Sequence, residues 1–242
     1  MSQIETIDPV KHAMLKIDLN RNAHGQDEVH IVDVVPNEFR HLMGYFPILF
    51  TKDATTGSFI FAAIMGFQAG ENLLLEGHGW DVPYVPLNIA RRPFTISVSD
   101  KTNDKGETVR VPSLGVEVEN PRVGTGNALF SNGEATDALK FGHQKISQLI
   151  TGLNVSRSYI ERLSTLQLIT PLNIKITLVD GHVQTFDGLY TIDEDKFRAL
   201  PTDEIVAMHK SGLLESVYMM IGSLSQLGNL VKRKNQRLST GT

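Results

Sequence analysis

SNGEATDALKFGHQKISQLITGLNVSRSYIERLSTLQLI, residues 131–169, decides the fold. No proline occurs from Glu134 to Ile169, and apolar side chains recur at Leu139, Ile146, Leu149, Ile150, Leu153, Ile160, Leu163 and Leu166. That spacing predicts one long helix with a buried face, or two helices interrupted near Gly152-Leu153-Asn154. Pro171 is expected to enforce its end.

Upstream of this stretch the pattern is different. EVHIVDVV (28–35) and FTISVSD (94–100) alternate as half-buried strands do. PILFTKD (47–53) and SFIFAAIMGF (58–67) are apolar on both faces and flank the turn-forming ATTG, which predicts two neighbouring central strands. HAMLKIDLN (12–20), ENLLLEG (71–77) and TVRVPSLGVEVEN (108–120) also read as strands, the last with a break at Pro112. NRNAHGQDE (20–28) and DKTNDKG (100–106) read as polar turns, and Asn37 as the N-cap of a short helix running to Gly44, with Phe39, Leu42 and Met43 inward.

Downstream, NIKITLVDGHVQTF (173–186) is a hairpin pattern around Asp-Gly. Asp193 and Thr202 are read as caps of two short helices, the second ended by Gly212. A final helix runs from Leu213, with Leu214, Val217, Tyr218, Ile221, Leu224 and Leu227 or Leu230 on one stripe. Gly222, Ser223, Ser225 and Gly228 stand opposite, small enough for close packing. The class is therefore α+β. A single domain spans 1–242, β-rich over 10–130 with a mixed or antiparallel sheet, and helix-rich with one hairpin over 131–238.

At 242 residues the chain is long enough to bury a substantial core. Its net charge of −4 argues against a dedicated nucleic-acid binder. The basic run KRKNQR (232–237) closes a helix, where solvation and the helix dipole account for it. With no cysteine, disulfides, thiolate catalysis and Cys-type metal sites are excluded. No stretch reaches the roughly 18–20 apolar residues of a membrane span. The N-terminal residues have no signal-like apolar core, so the cytoplasm is the default compartment and a surface location requires another export route.

The residues that point to function lie in GFQAGENLLLEGHGWDVPYVPLNIARRPF, 66–94. The stretch holds the sole tryptophan, Trp80, with Pro83, Pro86 and Pro93 and the Arg91-Arg92 pair. Prolines hold VPYVP extended, rings on stiff loops make contact surface at low entropic cost, and guanidinium forks suit carboxylate or phosphate. Glu71, Trp80, Tyr84, Arg91 and Arg92 form the candidate ligand or partner site. A second reading stands beside it: Trp80 and Phe94 as a satellite core, with Glu71 ion-paired to an arginine. His78, between two glycines, reads as a turn residue.

Chemical signatures are otherwise sparse. Gly124 and Gly126 lack the third glycine of a dinucleotide loop, and no Gly-Lys-Ser/Thr follows. The histidines form no HxH or HExxH pair, and no Gly-x-Ser-x-Gly elbow occurs. Asp193/Asp195 and Glu117/Glu119 are explained as a helix start and a strand edge. No catalytic residue, cofactor or metal is assigned.

PNEFRHLMGYFPILF (36–50), the 66–94 stretch, GLYTIDEDKFRAL (188–200) and MHKSGLL (208–214) together resemble the SapC family of bacterial proteins, collinearly over nearly the whole chain. The resemblance implies a link with surface-layer proteins and with loci for outer-membrane uptake. It implies no catalytic residue at any position. The leading expectation is a non-catalytic binding or accessory protein of the bacterial envelope, taking an unknown protein, a peptide or a small anion. The alternatives are an enzyme modifying a peptide or small metabolite near Glu71, His78 and the arginines, and a structural surface-layer component. A homo-oligomer is compatible with each.

Overall fold

The computed structural model describes residues 3–19, 26–77, 79–103 and 106–240. The chain is α+β, and the strand pairings between named strands are antiparallel. Its helices are α1 (Phe39–Leu42), α2 (Leu87–Ala90), α3 (Asp137–Thr165), α4 (Glu194–Arg198), α5 (Thr202–Ser211), α6 (Leu213–Ser223) and α7 (Gln226–Thr240). Two compact units form, each discontinuous in sequence: Met1–Gln26 with Leu87–Ile150, and Asp27–Pro86 with Thr151–Thr242. The change of pattern at 131 falls inside the first unit.

In the first unit the sheet order is Ile4–Thr6, Thr108–Glu117, Phe94–Thr102. Alternation puts Phe94, Leu114 and Val116 on one face, where they form a core with Leu139 and Ile146 of α3. Gly142 permits this contact, because a side-chain carbon there would lie 2.6 Å from the Phe94 ring. The strand passes through Pro112, opposite Val98, where a break was predicted. Odd-numbered residues of this strand bond towards 94–102, as Glu117 N does to Pro93 O. Pro112 therefore faces the other way, beyond the reach of Ile4–Thr6, which pairs only with 115–117. Its missing N–H costs no ladder bond.

HAMLKIDLN supplies only the two-residue strand Lys16–Ile17, paired with Asn127–Ala128. Local polar bonds take the residues before it. Asp8 Oδ1 accepts from the Val10 and Lys11 amides, and the Asp8 amide donates to Nδ1 of the buried His12. Most of the predicted 20–28 loop, and part of the 100–106 turn, lie outside the described residues.

The second unit is built on a five-stranded sheet in the order Ile169–Pro171, Tyr190–Ile192, Ile48–Lys52, Phe59–Ile64, Ile31–Asp33. The two runs predicted to be central are central. Phe61 stacks edge-on to Phe39 at 5.2 Å and lies 5.0 Å from Phe50, its register partner. α6 packs against α1, Ile48–Lys52 and Tyr190–Ile192. The fully buried Ser223 accepts from Ile48 N at 2.8 Å and donates to Met220 O.

Of the two readings of 134–169 the single helix holds: α3 is unbroken, and Gly152 serves packing, since a side-chain carbon on it would lie 2.6 Å from Val35 Cβ. Several other expectations are corrected. Pro171 does not stop α3, which ends at Thr165 with Gln167 in the left-handed region (φ 54°) and Leu168 N bonded to Leu163 O. Pro171 instead lies in an edge strand. Asn37 sits inside the turn Pro36–Glu38; the box is closed by Glu38, whose Oε1 accepts from Val35 N. Thr202 is the first residue of α5 and makes no cap bond.

The last helix is two, broken at Leu224–Ser225, with Leu213, Val217 and Met220 inward, Tyr218 exposed, and Gly222 and Gly228 on the surface. ENLLLEG contributes only Leu75–Glu76 as strand, paired with Gly79–Trp80. Asp193 caps α4 as predicted, and the 174–186 hairpin forms with the register Ile174–Phe186 to Thr177–Val183.

Candidate functional site

Residues 66–81 leave the central strand through a tight approach: a side-chain carbon at Gly66 would lie 2.5 Å from Glu71 O. Glu71 is the node of this loop. Its Oε2 accepts from Phe67 N at 2.7 Å, and its Oε1 pairs with Lys234 Nζ at 2.6 Å, with side chains only 9% and 12% exposed. The predicted partnership with Arg91 or Arg92 is thus replaced by one with α7. Asn72 ties the same loop to the Asp27 carbonyl and accepts from Leu74 N. Trp80, half-buried, donates its indole N–H to Asp27 Oδ2 at 3.2 Å.

α7 delivers more of its cations to this loop. Arg233 meets Asp81 at 2.7 Å, and Arg237 Nη2 donates to Leu75 O. The KRKNQR run, read as a solvated helix end, is a docking face. The sequence held the signal: Arg233 and Lys234 are adjacent on α7, and their acidic partners, Asp81 and Glu71, lie in the stretch singled out for its rings and arginines. His78 lies outside the described residues.

Tyr84 stands on a different support. Its hydroxyl donates to Glu38 Oε2 at 3.2 Å, and its ring stacks on His41 at 4.8 Å and 14°. Glu38 is buried and accepts from both Val35 N and Tyr84. Burial, and then the Glu38 charge, push the Tyr84 pKa well above the ordinary tyrosine value. A raised folded-state pKa gives stability that is complete below the unfolded value, about 10, and is lost as pH rises above it. The urea midpoint should accordingly fall between about pH 9 and 11, and fall less in Tyr84→Phe. Equal slopes for the two proteins would contradict this.

Arg91 and Arg92 belong to the first unit. Arg91 Nε donates to Asn88 Oδ1 and its Nη1 to Phe94 O, with Glu117 Oε1 at 3.9 Å. Arg92 Nη1 donates to Gln26 O, and Arg122, largely buried, donates to the Arg92 carbonyl. The Arg92–Pro93 bond is cis. Both arginines are half-buried. Burial first and the Arg92 charge second lower the Arg91 pKa, against the pull of Glu117.

The five candidate residues thus fall into three local clusters. Glu71 and Trp80 share the α7-clamped loop, Tyr84 rests on Glu38 and His41, and Arg91 and Arg92 lie together in the other unit. Among the described residues no group of three or more His, Asp or Glu is placed to hold a metal ion. No described helix is long and apolar enough to cross a membrane.

The SapC family model matches residues 7–230, and the chain belongs to the SapC family. No curated protein matches it, and neither does any solved structure.

Proposed function

We propose that this SapC-family chain is a non-catalytic binding or accessory protein of the bacterial envelope or surface layer. Its ligand is a peptide or small molecule carrying a negative group, received by Arg91 and Arg92. One observation carries the reading. Two adjacent cations are held half-buried, and among the described residues Glu117, 3.9 Å from Arg91, is the carboxylate recorded in ionic reach of them. Partial desolvation and mutual repulsion make that arrangement costly without an anion. Each guanidinium has five N–H donors, of which the chain's own bonds use only some, so donors remain for a bidentate acceptor. Trp80 and Tyr84 supply separate half-exposed ring surface in the second unit, while Glu71 positions the Trp80 loop.

Calorimetric titration with inorganic phosphate and with a tetraglutamate peptide tests this. The unaltered chain should bind at least one probe. Loss of a charge-assisted bond, about 1.5–3 kcal/mol, should weaken binding roughly tenfold or more in Arg92→Ala and in Arg91→Gln, with thermal midpoints nearly unchanged. No binding of either probe, or equal binding by both variants, overturns the proposal.

A further inference from the structure

α7 is fastened mainly by polar contacts. Leu230 is its one fully buried side chain among the described residues, with Leu227 and Val231 half-buried. Its hold on the rest of the unit is largely polar. Lys234 pairs with Glu71, Arg233 with Asp81, Arg237 with the Leu75 carbonyl, and Asn235 Oδ1 with the Val179 amide at the hairpin tip. The three cations thus grip the Trp80 loop before, within and after its short hairpin Leu75–Glu76/Gly79–Trp80.

The break between α6 and α7 is equally distinctive. It contains no proline, and no described residue from Leu213 to Thr240 has positive φ. Leu224 itself is right-handed helical, at φ −60° and ψ −25°. Leu224 N and Ser225 N reach back three residues, to Ile221 O and Gly222 O, and Ser225 Oγ also donates to Gly222 O. That carbonyl is the one a continuous helix would offer to residue 226. The break is a tightened helical turn held by one hydroxyl, a construction suited to a hinge. The apolar periodicity from Leu213 runs across this break as it would in a single helix.

We propose that α7 is a hinged strap. It swings on Leu224–Ser225 between its seat on the Trp80 loop and a position collinear with α6, and its release uncovers Glu71 and Asp81 and loosens the loop that carries Trp80. Its cations are the latch, so an ionic competitor opens it.

Hydrogen exchange on the full chain reads this directly. In an Arg233→Gln/Arg237→Gln double variant, protection over 226–240 and 72–81 should fall at least tenfold, while that of Phe59–Ile64 holds. Acrylamide quenching of Trp80, the sole indole, should rise. The unaltered chain should show the same local loss between about 0.05 and 1 M salt, because the partly exposed Arg233–Asp81 pair is screened. Exchanging the charges, Arg233→Asp with Asp81→Arg, should restore protection. Unchanged protection of α7 in the double variant and at high salt, loss only together with Phe59–Ile64, or failure of the exchanged pair to restore it each overturns the proposal.

Discussion

Phe61→Ala is expected to destabilise the second unit by about 3–5 kcal/mol. Phe61 is 1% exposed on a central strand, with Phe39 edge-on to it and Phe50 opposite. Truncation removes the ring contacts and opens a hole that neighbours on two sides, a helix and a strand, are poorly placed to fill. Trp80 lies in the same unit, so its fluorescence reports this transition during urea unfolding. The midpoint should fall with little change in slope. Tyr218→Ala, at a ring 59% exposed, serves as the contrast, with an expected loss of no more than about 1 kcal/mol. Similar losses for the two would mean that the aromatic cluster does not anchor the sheet.

The second large effect is at Glu38. Glu38→Ala strands two donors, the buried Val35 amide and the part-buried Tyr84 hydroxyl. At about 1–3 kcal/mol for each orphaned group, the expected loss is about 2–5 kcal/mol. Glu38→Gln keeps an acceptor and should cost less. It also removes the negative charge beside Tyr84, so the tyrosine should ionise at lower pH than in the unaltered chain. Ultraviolet titration reads that shift, and an unmoved Tyr84 transition would show that the carboxylate has no influence on it.

What could be read from the chain beforehand follows from how local each signal is. The α3 periodicity, the apolar pair of central strands, the Asp-Gly hairpin and the Asp193 cap are written within a few residues, and all appear. Pro112 and Pro171 misled because a proline's effect depends on whether a neighbouring strand needs its N–H, which is a tertiary fact. The left-handed turn at Gln167 that follows α3 carried no glycine to announce it. Ile169–Pro171 and Tyr190–Ile192 were too short to stand out and are strands only because the central pair extends to them.

The candidate site was legible as a segment but not as an arrangement. Its rings and arginines are adjacent in sequence, yet the chain passes from one unit to the other between Pro86 and Leu87. Glu71 found its cation 163 residues away. No spacing rule reaches that far, whereas the complementary charges of α7 and the loop were visible and went unmatched.

Pro112 has one more effect, on what the molecule avoids. The stretch Thr108–Ser113 lies along a rim of its sheet that Ile4–Thr6, paired only with 115–117, leaves uncovered. A bare rim of that kind invites strands from other molecules and so the growth of fibres. Because Pro112 offers no donor on that side, an incoming strand would meet a gap midway along it, so the backbone itself resists self-templating.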